Sequence, residues 1–260
     1  MIHAETMRTP TAKPVRLDVA LVERGLCDSR EKAKRAILSG QVKVNGHTAQ
    51  KASDLASLAD LVELIAPENF VSRGGYKLEH ALEHFQLEVT ALTVLDIGAS
   101  TGGFTDCLLQ RGAAKVYAVD VGRGQLAWKL RCDSRVVVME KTNARSLNPA
   151  NFNPGFVTAD LAVIDCSFIS LRKILTPVAA LVKSGGDLVA LIKPQFEAGK
   201  AEADEGEGVI TDPEIHRRIL VELEAFVAGL GNLTWQGVTP SPLLGPAGNK
   251  EFLVRLHKPA

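Results

Sequence analysis

From Leu92 onward, short apolar runs alternate with stretches of helical spacing. LTVLDIGA precedes FTDCLLQRG, KVYAVDVG precedes QLAWKLR, RVVVME follows, and LAVIDCSF precedes LRKILTPVAALV. GDLVALIKP, PEIHRRILVELEAFVAGL, LTWQGV and EFLVRLH complete the series. Parallel strands need long crossover connections, so this alternation predicts a mostly parallel sheet with helices on both faces, an α/β fold. Ligands of such sheets bind beyond the carboxyl ends of the strands, and chemistry is expected there.

VLDIGASTGGFTD (94–106) runs from the first of these strands into a cluster of small residues. Glycines grouped in this way permit a tight turn or a close approach by something bound, and a helix beginning near Gly103 offers free N–H groups. A P-loop would need a Gly-Lys-Ser/Thr ending, which is absent. A dinucleotide fingerprint is a competitor: GRGQLA (122–127) follows a strand, and Glu140 ends the next one. That reading leaves the 98–103 loop without a ligand and ignores Asp120 at its own strand end. A reading as an S-adenosylmethionine site uses all of them. Asp96, Gly98, Ala99, Ser100, Gly102, Gly103 and Phe104 would surround the amino-acid part, Asp120 would accept the ribose hydroxyls, and Asn143 would lie near the adenine.

Ahead of this region the pattern differs. Residues 1–14 carry Pro10 and Pro14 among polar residues and are expected to form a disordered leader. Residues 15–65 read as a small α+β unit. Ser29 is placed to cap a helix with Ala33, Ala36 and Ile37 on one face, and Gly40 is placed to end it. QVKVNG (41–46) predicts a strand entering an Asn-Gly turn, DLVELI (60–65) another strand, and APENFVSRGG (66–75) a linker.

The 260 residues have zero formal net charge, yet residues 7–51 hold ten Lys/Arg against four Asp/Glu. A basic unit of this kind suits a polyanion. Arg16, Arg30, Lys32, Lys34, Arg35 and Lys43 are the candidate contacts to phosphate, because structured RNA is gripped through its backbone and shape.

Several classes are disfavoured. Cys27, Cys107, Cys132 and Cys166 are scattered without a C-x-x-C pair, so neither a zinc site nor a disulfide framework is indicated and no metal is expected. No apolar run approaches the ~18 residues of a membrane-spanning helix, and the N-terminus lacks an apolar signal core. A cytoplasmic protein is expected. DCSF (165–168) stands where enzymes that methylate base amino groups show an Asp/Asn-Pro-Pro-aromatic turn. Carbon-5 methylation of cytosine commonly uses a cysteine after proline, and no Pro-Cys occurs. Cys166 is expected to face the core.

VSRGGYKLEHAL, LDIGASTGGFTD, AVDVGRGQLAWKLR, TNARSL, IDCSFISL, LIKPQFEAGK and GPAGNKEFL occur in this order, and together they resemble the TlyA family, the hemolysin A-like proteins. RLDVALVERGLCDSREKAKRAILSGQVKVNG resembles an S4 RNA-binding domain. The resemblance implies an S4-like domain over 15–65, then an FtsJ-like, Rossmann-like class I methyltransferase domain over 76–260. It implies S-adenosylmethionine-dependent 2′-O-methylation of cytidine in 16S and/or 23S ribosomal RNA, with ribosomal RNA or ribosomal subunits as partner. A monomer is expected. Alternatives are an RNA-binding ribosome-assembly factor without catalysis and, from the family's hemolysin name, a membrane-lytic protein.

The same resemblance points to Lys77, Asp165, Lys193 and Glu251 as a Lys-Asp-Lys-Glu set. A ribose 2′-hydroxyl attacks poorly until its proton is removed, and a lysine can remove it when burial or a neighbouring cation favours the neutral amine. Lys193 is the expected base, and Lys77 the neighbouring cation that also holds ribose or phosphate. Asp165 and Glu251 are expected to orient the lysines, with Asp165 also facing the cofactor.

Overall fold

A computed structural model of the chain describes residues 13–65, 69–152, 155–156, 158–199, 202 and 208–260. The expected leader lies outside these residues except for Lys13 and Pro14, as do residues 66–68 of the expected linker. The chain divides into two compact units, Met1–Glu68 and Asn69–Ala260.

In the first unit, β1 (Val15–Arg16) leads into α1 (Leu17–Glu23), and α2 (Arg30–Leu38) follows. The Ser29 side chain accepts the Lys32 N–H at the start of α2, and Gly40 lies beyond its end at φ 73°. β2 (Val42–Val44) and β3 (His47–Thr48) form a hairpin. Its turn residues Asn45 and Gly46 both have positive φ, 51° and 81°, the geometry an Asn-Gly hairpin turn requires. β4 (Leu55–Ala56) pairs with β1 and β5 (Val62–Leu64) with β2, both antiparallel. Leu17, Leu21, Ala33, Ile37, Val42 and Val62 close the small core. This is the expected α+β unit.

The expected linker does not reach residue 75. Phe70 is buried with its ring edge-on to Tyr76, and the Val71 N–H donates to Asp106 (2.8 Å). α3 (Gly74–His84) then begins at the two glycines that suggested a linker. Their role is packing: a Cβ on Gly75 would enter the Phe70 ring, and one on Gly103 would lie 2.8 Å from the Gly75 nitrogen. Glycine there lets two helix starts approach more closely than side chains allow.

The second unit continues with β6 (Thr93–Ile97), α4 (Gly103–Gln110), β7 (Lys115–Val119), α5 (Trp128–Arg131) and β8 (Val136–Met139). Next come β9 (Ala159–Ile164), α6 (Leu175–Ala180), β10 (Val182–Ile192), α7 (Pro194–Glu197), α8 (Pro213–Leu230), β11 (Thr234–Pro240) and β12 (Phe252–His257). The strands form one sheet in the order β11-β12-β10-β9-β6-β7-β8. Only β12 runs opposite to the other six strands. Leu95, Ile97 and Ile164 face a core layer containing Val178 and Leu223, whereas Val94 and Val163 face one containing Leu78 and Leu108. The sheet is covered on both faces, as the alternation predicted. Strand order reverses between β6 and β9, so a crevice opens where their carboxyl ends diverge.

Candidate active site

The crevice is built on the residues that leave β6, β7 and β9. Gly98 has φ 87°, and a Cβ there would lie 2.5 Å from the Asp165 carbonyl oxygen, so only glycine lets this loop rest against the end of β9. The Gly98 and Ala99 N–H groups donate to the Val119 carbonyl (2.8 and 3.1 Å). Asp120, just past β7, accepts from the Ser100 N–H through Oδ2 (2.8 Å) and from the Gly122 N–H through Oδ1 (2.6 Å). Each oxygen keeps a lone pair for a further donor.

Two cavities meet here. One of about 460 Å³ is lined by Gly98, Ser100, Asp120, Asn143, Asp165 and Phe168 among others. One of about 330 Å³ is lined by Arg73, Lys77, Gly103, Asp165, Ser167 and Lys193 among others. Gly98, Ser100, Asp165 and Ser167 belong to both. Each volume lies in the range of small-molecule sites, roughly 300–1,000 Å³.

The four expected catalytic residues form two ion pairs. Lys77, one turn into α3, donates to Glu251 Oε2 (2.5 Å), and both side chains are buried. Lys193, following β10, places Nζ 2.6 Å from Asp165 Oδ1 and 2.8 Å from Ser167 Oγ. Both lysines line the smaller cavity, while Glu251 lies behind Lys77 and lines neither.

Other expected residues land differently. Asp96 is fully buried, accepts from Thr105 Oγ1 (2.5 Å) and lines neither cavity, so it joins β6 to α4 beneath the loop instead of facing a ligand. Burial pushes its carboxyl up to about 7, with the charge of Asp165 adding and the Thr105 hydrogen bond opposing. Gly102 caps α4 at φ 99° against Leu126 and Leu130. Ala99 and Phe104 are mostly buried but reach the smaller cavity. Asn143 accepts the Arg145 N–H (3.0 Å) beside the larger one.

The dinucleotide alternative loses its acid. Glu140 is paired with Arg131 and accepts the Gly124 N–H (2.7 Å). Cys166 packs against the core as expected, and its thiol is pushed up to about 12, by burial first and then by the charge of Asp165.

Sequence reasoning missed Arg73, Ser167 and Phe168, which line the cavities. Arg73 donates to the Leu244 carbonyl (3.1 Å), and Phe168 is 90% exposed at φ 62° beside Phe196. Asn249 is buried, accepting from the Ile210 N–H (2.9 Å) and donating to the Gly208 carbonyl (2.8 Å). Ser167 and Phe168 follow a strand-end acid within IDCSFISL, and Arg73 lies within VSRGGYKLEHAL, two of the motifs that carry the resemblance.

In the first unit, two of the six basic candidates are tied inward. Arg16 Nε and Arg30 Nη2 lie 3.0 and 2.9 Å from the oxygens of Asp18, which is fully buried. Burial alone would raise that carboxyl, but the two guanidinium hydrogen bonds outweigh it and hold it below the usual range. Arg16 and Arg30 are therefore structural partners first, because a buried carboxylate requires compensation. Lys32 and Lys34 sit in exposed helix pairs with Asp28 and Glu31, weak enough to exchange for phosphate. Arg35 and Lys43 have no carboxylate partner among the described residues.

Residues 70–258 match the family model described as FtsJ-like methyltransferase, and residues 15–62 match the S4 domain. The chain is 44% identical to TlyA of Mycobacterium tuberculosis, over 95% of this chain and 91% of that protein, which is named a 16S/23S rRNA (cytidine-2′-O)-methyltransferase. The chain belongs to the TlyA family of FtsJ-like methyltransferases. A second TlyA, from Campylobacter jejuni and named a 23S rRNA (cytidine-2′-O)-methyltransferase, is 31% identical over 89% of this chain and 95% of its own. A solved structure described as a hemolysin from Streptococcus thermophilus superposes with a TM-score of 0.71 at 44% identity, covering 95% of this chain and 89% of that one. Despite the name hemolysin within the TlyA family, no helix among the described residues is long and apolar enough to cross a membrane.

Proposed function

We propose that this protein methylates the 2′-hydroxyl of a cytidine in 16S and/or 23S ribosomal RNA, using S-adenosylmethionine, in the cytoplasm. The observation that carries the reading is the pairing of two lysine–carboxylate pairs at one cavity with a second cavity that shares its wall.

The residues of the larger cavity fit the cofactor. Gly98 rests the loop against the end of β9 in the cavity wall, Asp120 has lone pairs that would accept ribose hydroxyls, and Asn143 would face the nucleoside. S-adenosylmethionine, when bound, supplies an electrophilic methyl on a positively charged sulfur. Lys193 takes the 2′-hydroxyl proton, and Asp165 balances the charge that Lys193 acquires. Lys77, anchored by Glu251, holds the substrate ribose or its phosphate. The S4 unit grips the RNA through backbone and shape.

Two substitutions test the base. Lys193→Ala and Lys193→Arg are each expected to lower methyl transfer by about a hundredfold or more, the scale of lost general-base catalysis. Arginine keeps the charge but cannot act as a base. Affinity for S-adenosylhomocysteine, measured by calorimetry, should remain near the unsubstituted value. Substantial transfer by the arginine variant would show that position 193 acts through charge alone.

A further inference from the structure

The two protein partners of Lys193 differ in kind. Asp165 Oδ1 is 2.6 Å from Nζ, yet that buried oxygen receives no directed hydrogen bond among the described residues. Ser167 Oγ, at 2.8 Å, accepts a directed N–H. Coulomb attraction falls off with distance and is indifferent to angle, whereas a hydrogen bond weakens steeply as it bends. Asp165 faces Lys193 with its charge, and Ser167 accepts an N–H of Lys193 at ordinary hydrogen-bond distance.

Ser167 is also one of the residues that line both cavities. Its turn is held from both sides. The Asp165 N–H donates to the Ile97 carbonyl (2.9 Å), and Phe168 adopts φ 62°, a sparsely populated region for a bulky residue, with its ring 5.2 Å from that of Phe196. Such a conformation persists only where its surroundings hold it.

We propose that Ser167 is a positioning residue for Lys193, fixing the direction in which its nitrogen meets the ribose hydroxyl. The tetrahedral nitrogen has one position taken by Cε and one by Ser167 Oγ. Asp165 lies 2.6 Å away on another side, and Lys193 itself lines the cavity that Lys77 and Arg73 also line. This inference rests on Lys193 being the base.

The test compares Ser167→Ala, Ser167→Cys and Ser167→Thr in the full chain. Alanine removes the acceptor, cysteine keeps the volume with a poor acceptor, and threonine keeps the hydroxyl. With alanine and cysteine, kcat is expected to fall about tenfold or more, as misplacement of a reacting group does. The KM for ribosomal RNA and the affinity for S-adenosylhomocysteine should change little. NMR relaxation of the Lys193 ammonium in the ligand-free protein should show a lower order parameter in both, and threonine should restore rate and order together. An unchanged order parameter in the alanine and cysteine variants, or a threonine variant no better than alanine, overturns the proposal. The NMR measurement needs neither cofactor nor RNA. A protein that transfers no methyl would overturn the functional reading while the order parameter still decided the role of Ser167.

Discussion

Asp96 shows how far a single residue can be read without its surroundings. Its position at a strand end was legible, but the same position suits a ligand contact and a buried tie between elements. Burial decided between them, and it depends on Thr105 and on packing that spacing does not encode. The consequence is a pH dependence of stability. The folded carboxyl sits at about 7, above the usual 3.8, so between those values the folded state holds a proton that the unfolded state has lost. Stability should therefore fall as pH rises from about 4 to about 7 and level off above, at up to about 1.4 kcal/mol per unit from this group. Asp96→Asn does not titrate and can still accept from Thr105. Urea unfolding of both proteins across this range should show the variant gaining on the unsubstituted chain as pH rises. Parallel profiles would mean that Asp96 ionises normally.

At the scale of elements, the strongest local signals held. The Ser29 cap and the Asn45-Gly46 turn act over a few residues, so sequence alone contains their physics. Gly74 and Gly75 misled because their use depends on Phe70 and on Gly103, which approach only after folding. The basic residues of the first unit show the same limit: a row of arginines reads as an RNA surface until a buried acid is found behind it. Arg30→Ala removes one of the two partners of Asp18 and is expected to destabilise that unit by about 1–3 kcal/mol in chemical denaturation. Arg35→Ala and Lys43→Ala should leave stability nearly unchanged, weaken RNA binding and each flatten its salt dependence by about one counterion. The opposite pattern would place RNA on the Arg16–Arg30 side and leave Arg35 and Lys43 as bystanders.

For the molecule as a whole, the alternation of apolar runs was enough to place a cleft at strand ends. It was not enough to order the strands, because partners such as β6 and β9 are separated by two intervening strands in the chain. The reversed β12 was equally hidden, since an apolar run carries no direction. Yet the order matters to the chemistry. β9 and β10 deliver Asp165 and Lys193, the segment before β12 delivers Glu251, and α3 delivers Lys77, from four separated parts of the chain. Recognising them together in sequence required the TlyA resemblance, because no local pattern joins them. The reaction proposed for this constellation is transfer of a methyl group to a ribose oxygen of ribosomal RNA. The most direct measurement incubates the purified protein with ribosomal subunits and S-adenosylmethionine labelled on the methyl, then locates the label by nucleoside analysis and 2′-O-methyl mapping. Label on the 2′-oxygen of cytidine in 16S or 23S RNA, absent with Lys193→Ala, is the predicted result. Label on a base, or no label on either RNA from a protein that binds the cofactor, would contradict it.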